Sequence, residues 1–419
     1  MELRPGYKKT EIGVIPEDWE LARLEELSAF ITKGATPTTY GFKWERQGIV
    51  FLRSESITEN GIDFASAQFI SAKANKMLNR SEIRRGDILV AITGYVGRVA
   101  TFDSTVSANI NQHVARVRIN SKRASARFLS HWLGQKNIRR HFESIVTGQA
   151  YPQISLVQVR EKIVPLPLVI EQDAIAEALS DVDASIAALS RLIAKKRDLR
   201  QGAMQRLLTG QTRLPGFTAP WQEKRLGAQI RFQVGFPFRS AFFNKSGLGV
   251  RLVRNRDLKS NDELIHYQGE YEAEFIVRSG DLLVSMDGEF ILHQWKGDAA
   301  LLNQRVGRII GRDGINIDFL HYYLAKPLKK IEMATSSTTV KHLSHGDVEG
   351  IELPLPSVGE QTAIAAVLSD MDAEIAALDA RLEKKRALKQ AMMQALLTGR
   401  VRLPVGRDAA PQTKEAAHV

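Results

Sequence analysis

Two globular domains of mixed α/β (α+β) type, joined by two long helices that pair as an antiparallel coiled coil, are predicted from three observations. A 51-residue block occurs twice, Pro165–Pro215 and Pro354–Pro404, with 32 identical positions at a constant separation of 189 residues. Each copy carries apolar residues on a heptad spacing. The stretches outside the copies are much less alike, yet they share motifs in the same order. A repeated supersecondary unit dictates architecture before any local reading does.

In chain order, residues 1–164 form the first globular segment and 211–353 the second. Trp19 with Leu24 matches Trp221 with Leu226, and Arg85-Gly86-Asp87-Ile88-Leu89-Val90 matches Ser279-Gly280-Asp281-Leu282-Leu283-Val284. Asn111-Gln112 matches Asn303-Gln304, and Phe128-Leu129 matches Phe319-Leu320. Gly-Asp ahead of an apolar β-rich run reads as a turn and then a buried strand. The stretches after Phe128 and Phe319 read as amphipathic helices. Trp19 and Trp221 are expected as core anchors, and the Asn-Gln pairs as buried turns.

The helical blocks are 165–210 and 354–404. Ile175, Leu179, Val182, Ile186, Leu189 and Ile193 form a seam spaced 4, 3, 4, 3, 4, and Ile364, Leu368, Met371, Ile375, Leu378 and Leu382 repeat it. Pro165, Pro167, Pro354 and Pro356 block helix upstream. Gly210 and Gly399 supply the C-terminal stops, with Pro215 and Pro404 beyond. From Glu171 to Leu208 the helix would run about 57 Å at 1.5 Å per residue. Lys195-Lys196-Arg197 and Lys384-Lys385-Arg386 interrupt the seam. Their plain reading is a solvated helix face; a phosphate contact or a docking patch is the alternative. The stretch after the first helix, RLPGFTAPWQEKRL, echoes the start of the chain, EIGVIPEDWELARL. The second helix therefore ends where a third copy would begin, which predicts a circular, pseudo-twofold order with a flexible tail at 405–419.

The 419 residues suffice for two or three cores, and 44% hydrophobic with 25% charged residues is ordinary for a soluble protein. Without cysteine there is no disulfide, thiolate metal site or cysteine nucleophile. No apolar run reaches the roughly 18 residues of a membrane span, and MELRPGYKKTEIG is no signal peptide. A cytoplasmic protein without a membrane partner is expected. The formal net charge of +11 favours an anionic partner, nucleic acid first. No Walker A motif, Gly-rich dinucleotide fingerprint, His-x-x-x-His pair, amino-methyltransferase motif or nuclease cluster is present. A non-catalytic chain with no metal is the expectation.

Together, Pro165-Leu166-Pro167 with Glu171-Gln172, Ile175-Ala176 and Leu179, and the copies at Pro354-Leu355-Pro356, Glu360-Gln361, Ile364-Ala365 and Leu368, resemble the specificity subunit of type I restriction–modification systems. Gly34-Ala35-Thr36-Pro37, Gly94-Tyr95-Val96-Gly97 and the run Thr147–Ile154 fit the same family. The second domain departs from it, with Val234-Gly235-Phe236-Pro237 and Asp287-Gly288-Glu289-Phe290. The resemblance implies two target-recognition domains, each reading one half of a bipartite, asymmetric double-stranded DNA target. The helices would set the half-site spacing and dock two copies of a methyltransferase subunit, with a restriction or translocase subunit as a further partner. No cofactor is expected on this chain; S-adenosylmethionine, and ATP with Mg where a nuclease subunit is present, would belong to the partners. The alternative is a coiled-coil interaction scaffold without specific DNA binding.

Base edges in the major groove call for Arg, Lys, Asn and Gln, and phosphates for Lys, Arg, Ser and Thr. In the first domain the candidates are Thr36, Thr38, Tyr40, Lys43, Arg53, Ser54, Glu55, Thr93, Tyr95, Arg98, Gln149, Tyr151 and Gln153, with Arg139 and Arg140 on phosphate. In the second they are Arg239, Arg254, Asn255, Arg256, His293, Gln294 and Lys341.

Overall fold

The computed structural model describes residues 4–148, 152–260, 262–335 and 341–404. The chain divides into two compact units, residues 1–191 with 380–419 and residues 192–379. These units differ from the consecutive segments 1–164, 165–210, 211–353 and 354–404. Each takes one globular segment and half of each long helix, because each helix end is covered by a different sheet.

In the first unit an antiparallel sheet sets strand Val114–Ile119 between Ile88–Ala91 and Ser28–Lys33, with Val99–Thr101 at the edge. Ile88 lies opposite Val117, and Val117 opposite Ile31. Alternation along Ile88–Ala91 divides the core. Ile88 and Val90 join Phe128, Leu129 and Leu133 on one face, while Leu89 and Ala91 join Leu52, Ile110 and Val114 on the other. All four strand residues are fully buried, Ile88, Leu89 and Val90 each contributing roughly 1.5–3 kcal/mol. This two-sided burial explains a continuous apolar run in place of a half-polar strand. A second sheet orders Gln68–Ile70, Ile49–Leu52, Ala108–Ile110 and Glu82–Ile83, and its central pair is parallel.

The second unit repeats the plan. Strand Val306–Gly311 lies between Leu282–Ser285 and Ile230–Val234, with Leu292–Gln294 at the edge. Ile309 stands opposite both Leu282 and Phe232. Val250–Val253 and Ala300–Leu302 form the parallel pair of a five-stranded sheet. The Gly-Asp turns do what their chemistry predicts and one thing more. Asp87 accepts from the Arg84 amide (2.7 Å) and holds Arg118 (2.6 Å). Asp281 accepts from the Arg278 amide (2.8 Å) and holds Arg308 (3.0 Å).

The long helices are Val169–Leu207 and Val358–Leu396, each preceded by a short strand, Ile163–Leu166 or Glu352–Leu355. Within each unit the start of one helix packs with the end of the other, so the two run antiparallel. In the first unit Ile175 and Leu179 share a core with Leu396 and Leu397, and Lys389 pairs with Asp183 at 2.6 Å. In the second, Ile364 and Leu368 share a core with Leu207. Along the seam Ile175, Leu179, Ile186, Leu189, Ile193, Ile364, Leu368 and Leu382 are buried. Val182, Met371, Ile375 and Leu378 are half-buried.

The first basic block lies on a largely solvated face, as read, and its side chains also find partners there. Lys196 pairs with Glu374 (2.6 Å), Arg197 with Asp379 (2.8 Å) and Arg200 with Asp372 (3.0 Å), all across the helix pair of the second unit. In the second block Arg386 instead pairs with Glu383 on its own helix (2.7 Å). The acids Glu374 and Asp379 have serines, Ser185 and Ser190, at the matching positions of the other copy.

The repeated Glu-Gln motif is a clamp. Gln172 donates to the Pro167 and Arg123 carbonyls (2.8 Å each) and accepts from the Ser125 amide (2.8 Å). Gln361 does the same with Pro356, Gly314 and Asn316. Each pins the loop that leads into a helix of its own globular segment, Ala126–Leu133 or Ile317–Ala334. Glu171 and Glu360, each 1% exposed, receive an arginine from the segment that follows a long helix. Arg402 joins Glu171 (2.7 Å) and Asp18 (2.8 Å), and Arg213 joins Glu360 (2.6 Å). Tyr7 also donates to the Gly399 carbonyl at 2.8 Å, so residues 399–402 meet the N-terminal segment as the circular order predicts. Trp19 is fully buried, whereas Trp221 is half-buried and donates to Glu360 at 3.0 Å. The expected tail, 405–419, lies outside the described residues.

Candidate nucleic-acid interface

Parallel pairing sets the location of the site in each unit. Strands Ile49–Leu52 and Ala108–Ile110 run the same way, so the loops 53–56 and 111–113 leave from the same end. The loop at 92–98 comes to that end from Ile88–Ala91, whose Ile92 amide donates to the His113 carbonyl at 2.9 Å. Gly34 donates to the Asn111 carbonyl at 3.1 Å. A Cβ on Gly34 would sit 1.7 Å from the Ile110 carbonyl oxygen, so only glycine permits this approach. Thr36 then donates from its hydroxyl to the Gln112 side chain, whose amide nitrogen is 3.2 Å from His113 Nε2. Thr93 bridges Gln153, and a Cβ on Gly94 would lie 3.7 Å from the Ser54 hydroxyl.

Thr36, Ser54, Thr93 and Gln153 of the sequence candidates therefore converge, joined by Gln112 and His113. Thr38, Tyr40 and Lys43 are exposed on and after the 3₁₀ turn Pro37–Tyr40. Arg53 and Glu55 pair with each other at 2.7 Å beside Ser54. Arg98 stacks 4.1 Å over the half-exposed Tyr95 ring and donates to the Ile57 carbonyl, so its guanidinium is engaged by its own domain. Gln149 and Tyr151 lie outside the described residues. Arg139 and Arg140 line a groove of about 1200 Å³ beside the long helices of the same unit, which touches the cluster through Gly97 and Arg98; there Arg139 is held by Glu59 (2.8 Å) and Glu143 (2.9 Å).

The second unit builds the same place with other side chains. Val250–Val253 and Ala300–Leu302 are parallel, so 254–257 and 303–305 emerge together. Gly235 packs against the Asn303 carbonyl as Gly34 does in the first unit, and Phe236, 42% exposed, pairs with Asn303. Asn255 donates to the Asp287 carbonyl at 2.9 Å. Asp287 pairs with His342 Nδ1 at 2.8 Å and with Arg305 Nε at 3.3 Å. Arg239 and Arg256 are exposed at the rim.

Four candidates of the second domain are placed differently from the expectation. Arg254 is enclosed by Asp257 (2.9 Å) and Glu263 (3.4 Å), whose carboxylates raise its pKa; it braces a turn. Gln294 donates to Asp318 at 2.6 Å on the edge strand beside the helix Ile317–Ala334, away from the cluster. His293 is its neighbour on that strand, and burial lowers its pKa. Lys341 contributes its carbonyl to Gly288, while its ammonium caps the Glu332 carbonyl. His113, Asp287, Arg305 and His342 also belong to these clusters, although residue type alone does not mark them. A usable signal existed for two of them: His113 and Arg305 each directly follow an Asn-Gln pair. Asn111 and Asn303 act in the turns as expected, accepting from the amides of His113 (3.1 Å) and Gln304 (2.7 Å).

Among the described residues no group of three or more His, Asp or Glu is set to hold a metal, and no helix is long and apolar enough to cross a membrane. The family model of the type I restriction modification DNA specificity domain matches residues 16–195 and 241–385. The EcoBI type I restriction enzyme specificity subunit of Escherichia coli is 38% identical over 186 residues, covering 43% of this chain and 39% of that one. The MjaVIII specificity subunit of Methanocaldococcus jannaschii is 24% identical over 423 residues, covering 93% and 94%. A crystal structure of the type I restriction–modification S subunit from M. genitalium shares the fold with a TM-score of 0.62 at 15% identity, covering 94% of this chain and 98% of that one. With both segments matched, the chain belongs to the type I restriction–modification DNA specificity family, as a specificity subunit carrying two specificity domains.

Proposed function

We propose that each unit's loop cluster reads one half of a split, asymmetric DNA sequence. The observation that carries this reading is the same loop constellation built twice with different side chains, on helices that are nearly the same. Two unlike half-sites need unlike surfaces, and one partner bound twice needs like ones. The long helices then fix the separation of the half-sites and dock two copies of a methyltransferase subunit, with a restriction or translocase subunit joining that assembly. The chain itself is non-catalytic and acts in the cytoplasm, where the DNA lies. S-adenosylmethionine, and ATP with Mg²⁺ for a nuclease, are held by the partners.

Thr36, Ser54, Thr93 and Gln153 face the first half-site, with Thr38, Tyr40, Lys43, Arg53, Glu55 and Tyr95 around them. Asn255, Arg239 and Arg256 face the second. The net charge of +11 supplies the phosphate attraction, so affinity should fall steeply and linearly in log–log form with added salt. Co-expression with the cognate methyltransferase, followed by mapping of methylated host DNA, tests the reading. A bipartite methylated sequence in which one half changes when residues 36–98 are exchanged is the expected result. An unchanged sequence, or none, would sink it.

A further inference from the structure

We infer that Arg305, held by Asp287, is a specificity-determining residue that reads a guanine in the half-site of the second unit. The inference rests on the DNA-reading function proposed above and names a base for it. Asp287 stands on the turn after strand Leu282–Ser285 and is fixed from three sides. Its carbonyl accepts from Asn255 at 2.9 Å, its backbone bridges His342, and Gly288 next to it donates to the Lys341 carbonyl at 2.9 Å. Its carboxylate therefore has a set direction. One oxygen bonds His342 Nδ1 at 2.8 Å, and the other lies 3.3 Å from Arg305 Nε as an ion pair. Arg305 is anchored at its own backbone as well, where its carbonyl accepts from the Met286 amide at 3.1 Å.

Held through Nε, the guanidinium keeps both terminal nitrogens available, and the Arg305 side chain is 55% exposed. Two parallel N–H donors match the O6 and N7 acceptors of guanine in the major groove and no other base edge. A guanidinium kept near its carboxylate partner loses less rotamer freedom when it binds, which sharpens the choice of base. Among the described residues of the first unit, no arginine stands at the corresponding places. Thr93, His113 and Gln153 occupy the places of Asp287, Arg305 and His342, and His113 is 3.2 Å from the Gln112 amide. The arginine of the first cluster, Arg53, pairs instead with Glu55 two residues away in its own loop, so an arginine paired with the turn at 287 belongs to the second unit.

Methylation mapping of the full chain with its methyltransferase tests this through Arg305→Ala and the size-conserving Arg305→Gln. Both should relax one G·C position in one half-site by roughly ten- to hundredfold. The other half-site should be read unchanged, which also shows that the variants fold. Asp287→Ala should relax the same position less. Base preferences that survive both Arg305 substitutions, or a second half-site without a required guanine, overturn the inference and leave the proposed function intact. Failure of the unsubstituted chain to direct any split methylation removes the functional reading and this inference with it.

Discussion

Glu360 and Glu171 begin corresponding helices, and each is closed over by an arginine that comes from just past the other helix. Arg213 reaches Glu360 along a continuous linker that goes on to Trp221. Arg402 reaches Glu171 from residues near the end of the described chain, and must also grip Asp18 to hold the N-terminal segment in place. One junction is covalent where the other is a noncovalent meeting of two distant stretches. The comparison teaches that the second unit needs its latch for geometry, while the first needs its latch for closure. Consistent with this, Arg402 has two carboxylates, which together raise its pKa while it lowers that of Asp18; Arg213 has Glu360 alone and one carbonyl.

The largest effects should be equal in the two units, and inequality would break the comparison. Leu179 and Leu368 are both fully buried under their own sheets. Leu179→Ala and Leu368→Ala should each cost about 3 kcal/mol, read from denaturant midpoints. The next effect should be unequal. Glu171→Ala leaves Arg402 with Asp18 alone and Glu360→Ala leaves Arg213 with one carbonyl, and both should lower the melting midpoint by several degrees. Only Glu171→Ala should release residues 399–404 to limited proteolysis, since nothing covalent holds them there.

A pH scan separates the units at a third point. His131 and Tyr322 occupy the same place between a recognition-domain helix and the long helices, bonded to Ser180 (3.2 Å) and Asp372 (2.9 Å). Burial pushes His131 down to about 4 and Tyr322 up to about 12. The folded state thus keeps His131 neutral between its lowered pKa and the ordinary value near 6.5, while the unfolded chain takes up a proton. Stability from this group is present above pH 6.5 and is lost as pH falls towards 4. His131→Gln should flatten that loss by on the order of 1–2 kcal/mol, whereas Tyr322→Phe should leave the acid limb unchanged. Smallest of all, Asp379→Asn should cost about 0.5 kcal/mol or less and only at low salt, because its pair with Arg197 is exposed.

The candidate site was legible in proportion to how local its signals are. Thr36 and Ser54 follow short motifs beside strands that the apolar pattern already marks, and both join the cluster. Arg254 and Gln294 looked equally suitable as exposed polar residues. Whether an arginine faces solvent or its own Asp257 and Glu263 depends on turn geometry, which residue type does not encode. Asp287, Arg305 and His342 are far apart in the chain, so no window of sequence joins them.

The duplicated helices, their caps at Gly210 and Gly399, the strand–turn order of both domains and the circular plan are all written in local sequence. These follow from periodicity and steric limits that act over a few residues: Gly210 and Gly399 adopt φ of +69° and +67°, which only glycine takes without strain. Tertiary structure alone decided that each compact unit takes half of each helix, that Lys196 and Arg197 find acids across the helix pair, and that Asp287 aims Arg305. Those outcomes depend on which distant strands and helices come into register, and that is set by the burial of whole faces rather than by neighbouring residues.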